Sequence, residues 1–176
     1  MPVYLFTYHA YRSWMPDRPR GFVQKGRGIQ PKNDALAEAY RRAASDEPFE
    51  FDASTQLQLI KKAIDVCADE GWRLHGGSTE PTHLHVLVSW QDEGVGFTKV
   101  RGRIKNLLSL DLSRRAGVTG RPWFAGEANR RRVRDEGHFR YLMEEYLPKH
   151  GGVQWYEGVG WLNWAAGLEP PACAGG

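Results

Sequence analysis

The stretch Thr82-His83-Leu84-His85-Val86-Leu87-Val88-Ser89-Trp90 constrains this chain more than any other. It is rich in β-branched and large apolar residues, and as a strand it sorts its side chains with a period of two. Leu84, Val86, Val88 and Trp90 then share a face that is predicted to be buried, and His83, His85, Leu87 and Ser89 share the other. Two imidazoles therefore project side by side from a rigid element. Such a pair can chelate one metal ion and leave coordination positions for water and substrate oxygens. Two surface histidines, or a hydrogen-bonded pair, would give the same pattern. A closed structural zinc site would need two further Cys or His ligands, and none stands at suitable local spacing. Cys67 occupies an apolar helical position and Cys173 lies in a Pro/Gly/Ala tail, so free thiols are expected.

The elements around this strand predict an α+β fold. Val3 to Trp14 reads as a strand, followed by a long Pro/Gly/Arg-containing connection. Asn33 or Asp34 is a candidate cap for a short helix through DALAEAYRRAA. A stronger helix carries Leu57, Ile60, Ala63, Ile64 and Cys67 behind Asp52 or Ser54, and Gly71 stops it. Trp72 to Gly76 and His83 to Trp90 form a hairpin. Phe97 to Arg115 is an amphipathic helix with Val100, Ile104, Leu107, Leu108 and Leu112 inward. Arg121 to Val133 is an arginine-rich strand or loop, and a last helix begins at Asp135 or Glu136. The aromatic segment VQWYEGVGWLNW is expected to pack or pair at an edge. The order matches a ferredoxin-like, split βαβ antiparallel sheet with helices on one face. Residues 1–166 are expected to form one domain and 167–176 a disordered tail.

Charge is concentrated in one part of the chain. Between Lys99 and Arg134 stand eleven basic residues against Asp111 and Glu127, a net +9, which leaves −6 for the remainder of a chain whose total is +3. This stretch suits a polyanion, although a solvated helix face is the plainer alternative. No run approaches 18 apolar residues and no secretory leader is visible, so a cytoplasmic location without membrane contact is expected.

Several stretches, taken together, resemble one family. They are Tyr4-Leu5-Phe6-Thr7-Tyr8, Ser13-Trp14 with Pro19-Arg20-Gly21, and His83-Leu84-His85 within Thr82 to Val88. Further along come Arg103-Ile104-Lys105 through Ser109, Pro122-Trp123-Phe124, and Val133-Arg134-Asp135-Glu136. In this order, across roughly residues 3 to 152, they resemble the single-tyrosine HUH transposases, in particular REP-associated tyrosine transposases and related insertion-sequence enzymes. The resemblance implies a homodimeric, nucleoid-associated bacterial protein that nicks and rejoins single-stranded DNA, with hairpins or palindromic repeats as substrates. It implies Mg²⁺ or Mn²⁺ held by His83, His85 and a third polar ligand, and a tyrosine that forms a 5′-phosphotyrosine. A phenol of pKa near 10 is a weak nucleophile at neutral pH, so the metal has to stabilise the developing charge. Arg101, Arg103, Lys105, Arg130, Arg131 and Arg132 would bind the DNA backbone, and aromatics such as Trp123 would stack on bases. The alternative is a non-catalytic, domesticated relative that binds nucleic acid. A phosphoesterase with two H-x-S/T motifs does not fit, because His75-Gly76-Gly77 lacks the hydroxyl.

In the family the nucleophile lies on the last helix, with a metal-reaching residue four positions later. Two pairs satisfy that offset here: Tyr146 with His150, and Tyr141 with Glu145. Spacing from Arg134-Asp135-Glu136 favours Tyr146 and His150. Against it, Pro148 interrupts a regular helix between them, and Tyr146 shares the apolar face with Phe139, Leu142 and Met143. His9, His75 and His138 have no comparable partner in the sequence.

Overall fold

A computed structural model describes residues 1–163 apart from Trp14, Arg18, Arg20, Lys25, Gly26, Ala44, Ser45 and Glu127, together with the backbone but not the side chains of Val23 and Gln24. The chain runs β1 (Val3–His9), β2 (Phe22–Gln24), β3 (Gly28–Gln30), α1 (Asp34–Ala43), α2 (Ala53–Asp69), β4 (Arg73–Glu80), β5 (His83–Ser89), α3 (Phe97–Ala116), β6 (Asn129–Arg132) and α4 (Glu136–Tyr141). A π-helical turn (Leu142–Tyr146), a 3-10 turn (Leu147–Lys149), β7 (Gln154–Tyr156) and β8 (Gly160–Leu162) follow.

Local chemistry sets the ends of the helices. The Asp52 carboxylate accepts from the Thr55 N–H at 2.7 Å and caps α2, and the Asp135 carboxylate accepts from the His138 N–H at 2.8 Å and caps α4. Asn33 does the same for α1, through the Leu36 N–H at 2.8 Å. Gly117, at φ +65, closes α3 in the left-handed conformation that glycine adopts without a Cβ penalty.

Six strands form one sheet in the order β6-β1-β5-β4-β7-β8, every neighbouring pair antiparallel. Within it β1, α2, β4, β5, α3 and β6 make two βαβ halves whose strands interleave fourth, first, third, second. This is the ferredoxin-like arrangement. The aromatic segment after Gly152 forms the hairpin β7–β8, which extends the sheet beyond β4. A separate small hairpin, β2–β3, lies within the long connection after β1.

The two long helices cover one face of the sheet. Phe6, Tyr8, Leu84, Val86 and Val88 meet Ile60, Ala63, Val100, Ile104 and Leu108 there, all at 1% exposure or less. The last helical segment crosses the opposite face, where Leu5, Leu87, Leu142, Leu147 and Tyr156 form a smaller cluster. The histidine-bearing face of β5 is therefore covered as well: Leu87 and Ser89 are fully buried and His85 is 3% exposed.

Trp123 departs from expectation. It is 3% exposed, its ring packs edge-on against Phe49 with 4.8 Å between centroids, and its indole N–H donates to Ser113 Oγ at 2.7 Å. A side chain with its polar edge satisfied inside the core offers no face to a nucleic-acid base. Trp14, Arg20 and the tail 167–176, for which the sequence carried expectations, lie outside the described residues. Among the described residues no helix is long and apolar enough to cross a membrane.

Candidate functional site

Antiparallel register builds the site from the strands outward. β5 pairs with β1 so that His85 lies opposite Thr7 and His83 opposite His9, and residues directly paired across strands point to the same face. Thr7 Oγ1 is hydrogen-bonded to His85 Nδ1 at 2.8 Å, and Thr82 Oγ1 to His83 Nδ1 at 2.9 Å. The third histidine arrives from the far end of the chain. His150 follows the 3-10 turn in an extended conformation (φ −82, ψ 128), and its ring centroid stands 4.3 Å from that of His85 and 5.4 Å from that of His83. Ligand atoms of His83, His85 and His150 all fall within 4.8 Å of one another.

The protonation chemistry of this trio suits a metal ion. A carbonyl only accepts, so His150 Nδ1 carries the hydrogen it donates to Leu147 O at 3.1 Å, which leaves its Nε2 lone pair for a ligand. His85 Nε2 is buried and has no hydrogen-bond partner. Such an atom is costly in the interior unless something binds it. Burial first, and then the neighbouring His150, His83, His9 and Arg131, push the His85 pKa down to about 2, so the ring stays neutral. Neutral imidazole is the ligating form.

Tyr146 stands against the trio. Its ring centroid lies 5.4 Å from His85 and 5.2 Å from His150, whereas the Tyr141 ring is tilted against that of Tyr146 at 6.4 Å and is 42% exposed. Burial raises the Tyr146 phenol pKa, which Arg131 lowers and Tyr141 raises to lesser degrees. Glu145 is exposed, pairs with Lys149 at 3.8 Å and does not belong to the histidine cluster. Pro148 does not keep Tyr146 from His150, because the chain between them is not an α-helix. It widens into the π turn through Tyr146 and then tightens into a 3-10 turn with Pro148 at its start. Single π turns occur often at functional sites because they re-aim side chains within a helix.

The segment carrying His150 is pinned to the sheet on its far side. The Gln154 side-chain amide donates to the His150 carbonyl, and Tyr156 Oη donates back to Gln154 Oε1 at 3.1 Å. Gly152 N–H donates to Thr79 O at 3.1 Å, and a Cβ at Gly152 would collide with that carbonyl and with Gln56 Oε1. Only glycine allows the approach.

The basic residues divide between the two faces. Arg131 pairs with Leu5 and faces the histidines, its guanidinium 5.9 Å from the Tyr146 ring centroid. Arg130 and Arg132 pair with Phe6 and Tyr4 and face the other way, with the Arg130 guanidinium 4.0 Å from the Phe97 ring. Arg101 donates to Ala128 O at 3.0 Å, Lys105 to Ala125 O at 2.8 Å, and Arg103 pairs with Glu70 at 2.7 Å. These three lie on α3, across the sheet from the histidines.

Thr7 and His9 belong to the site, although in the sequence His9 has no comparable partner and reads as structural or exposed, and Thr7 is marked only as part of the first strand. The His9 ring lies 5.6 Å from that of His83. The available signal was the alternation Thr7-x-His9 in the first strand, but only the β1–β5 register turns it into an address. A second histidine constellation stands apart. His75 Nε2 meets Ser89 Oγ at 2.8 Å and its Nδ1 meets Glu157 at 3.3 Å. Ser89 is fully buried, so this chain of polar groups ties the β7–β8 hairpin to the sheet and offers no nucleophile to solvent.

No protein-family model and no curated protein matches the chain. Among solved structures, its fold is similar to a REP-associated tyrosine transposase bound to a REP hairpin, with 13% identity and a TM-score of 0.44 over 80% of this chain. The chain spans 61% of that protein's length. It is also similar to a proposed transposase from Deinococcus radiodurans R1, with 12% identity and a TM-score of 0.41 over 85% of this chain and 91% of that one.

Proposed function

We propose that this chain is a metal-dependent single-stranded DNA strand transferase in which Tyr146 is the nucleophile and His83, His85 and His150 hold the ion. The supporting observation is the placement of the Tyr146 ring directly against a trio of histidines whose ligand atoms lie within 4.8 Å of one another. A divalent ion bound there would polarise the scissile phosphate and stabilise the leaving oxygen. Of Mg²⁺ and Mn²⁺, three imidazoles favour Mn²⁺, because Mg²⁺ prefers oxygen donors.

Tyr146 Oη forms a bond to phosphorus as the bond from phosphorus to the 3′-oxygen breaks. The phenol proton goes to solvent, and the departing 3′-oxygen takes one up to become a hydroxyl. No oxidant and no nucleotide is consumed, and the phosphotyrosine keeps the bond available for rejoining. Thr7 and the Leu147 carbonyl hold the imidazoles in place, and the hydrophobic wall around Leu87 and Leu147 limits water. The arginines on β6 and two basic residues of α3, Arg101 and Lys105, which bond to carbonyls just before β6, border the same edge of the sheet. A DNA strand that touches both sets wraps over that edge.

The test is a covalent adduct. Wild-type protein with Mn²⁺ and a single-stranded hairpin oligonucleotide should give a protein–DNA species that survives denaturing electrophoresis. Absence of any adduct across hairpin and palindromic substrates would overturn this reading and leave a non-catalytic DNA-binding protein as the alternative.

A further inference from the structure

Three consecutive arginines occupy β6, and the strand period gives them different neighbours. Arg130 and Arg132 register with Phe6 and Tyr4, on the face that α2 and α3 cover, and Arg130 stacks on Phe97 of α3. Arg131 registers with Leu5, on the face of the second apolar cluster and the histidines. Its guanidinium lies over the Tyr146 ring at 5.9 Å, and the His85 and His150 rings lie 5.4 and 5.2 Å from that ring. Tyr146 thus has both a cation and a candidate metal centre as neighbours.

Charge pairing separates Arg131 from several arginines elsewhere in the chain. Arg103, Arg115 and Arg140 each hold a carboxylate at 2.7 to 2.9 Å. No carboxylate among the described residues pairs with Arg131. It stands on an exposed edge strand with its guanidinium 5.9 Å from the Tyr146 ring, and its planar fork carries five donors that an anion can engage. An arginine without a counter-ion beside a nucleophile suits a phosphodiester, whose two non-bridging oxygens match the fork.

We propose that Arg131, alone of the three, is a catalytic residue that binds the non-bridging oxygens of the phosphodiester attacked by Tyr146. This rests on the strand-transfer reading above and extends it to the substrate contact. As Oη bonds to phosphorus and the 3′-oxygen departs, negative charge builds on the equatorial oxygens. Arg131 opposes that charge from beside Tyr146, on the same face of the sheet as the histidines. Arg130 and Arg132, on the other face, contact only flanking backbone.

The experiment compares single-turnover adduct formation at saturating DNA, with Mn²⁺, for wild type, Arg131→Gln, Arg131→Lys and Arg130→Gln. Arg115→Gln, on the far part of α3, serves as a control for loss of one surface charge. Arg131→Gln is expected to slow the chemical step about 100-fold or more, as loss of a transition-state donor does, with a much smaller change in DNA affinity. Arg131→Lys should recover part of the rate, because it keeps the charge but not the fork. Arg130→Gln should show its effect in Kd and in the salt dependence of binding. If Arg131→Gln reacts at the wild-type rate, or is slowed no more than Arg130→Gln, the Arg131 proposal is wrong while the strand-transfer reading stands. If wild type forms no adduct, both are wrong. Thermal melts of all variants, expected to match wild type because the side chain is exposed, exclude misfolding as the cause.

Discussion

The imidazole of His85 faces that of His150 with 4.3 Å between ring centroids, one carried by a central strand and the other by the extended residue after the last helical turn. That relationship selects His150, and not Glu145, as the residue able to share an ion with the histidine pair. His150→Ala is expected to weaken Mn²⁺ binding at least about tenfold in calorimetric titration. Glu145→Ala, which removes only an exposed partner of Lys149, should leave it unchanged. Equal losses from both would contradict the arrangement.

Thr7 holds His85 by its Nδ1, so the hydroxyl governs the direction in which Nε2 points. Thr7→Val keeps the shape of the side chain and removes the hydrogen bond. Metal affinity should fall about 10- to 100-fold, with little change in thermal stability. An unaltered affinity would show that the strand alone orients the ring.

The two candidate tyrosines differ in their distance from the histidines. Tyr146→Phe is expected to abolish covalent adduct formation, and Tyr141→Phe to retain it. Mass spectrometry of the trapped peptide would locate the phosphotyrosine, and its appearance at Tyr141 would refute the assignment.

Gly152 is the point at which the backbone carrying His150 touches the sheet. Gly152→Ala should cost about 1–3 kcal/mol through the collision with Thr79 and Gln56, and should also reduce Mn²⁺ affinity by shifting His150. Denaturant unfolding and metal titration on the same variant separate the two effects. A variant with normal stability and normal affinity would mean that the segment relaxes freely.

His75 provides a pH signature away from the candidate metal centre. Burial lowers its pKa from 6.5, against a smaller opposing pull from Glu157. The folded chain therefore binds fewer protons here than the unfolded chain. The contribution of His75 is fully present above the unfolded pKa and is lost as the pH falls below about 6.5 toward the folded value. Between pH 7.5 and 5, urea midpoints of wild type should fall more steeply than those of His75→Gln, and parallel curves would exclude this contribution.

The sequence by itself determined the long helices, the central strand β5 and the histidine pair. Alternation along β5 separates the core face from the face of His83 and His85, and the caps Asp52 and Asp135 with the apolar spacing of α2 and α3 mark the helices. These are properties of neighbouring residues, governed by strand and helix periods that can be read from a single chain. What joins distant residues was decided only by tertiary structure. Thr7 and His9 enter the site through the β1–β5 register, Arg131 is distinguished from Arg130 and Arg132 by its pairing with Leu5, and Trp123 is withdrawn into the core. The apparent conflict between Pro148 and the Tyr146–His150 offset disappears because a π turn followed by a 3-10 turn replaces the regular helix. Packing of Leu142 and Leu147 against Leu5 and Leu87 accompanies that local irregularity, and such packing depends on strands far away in the sequence.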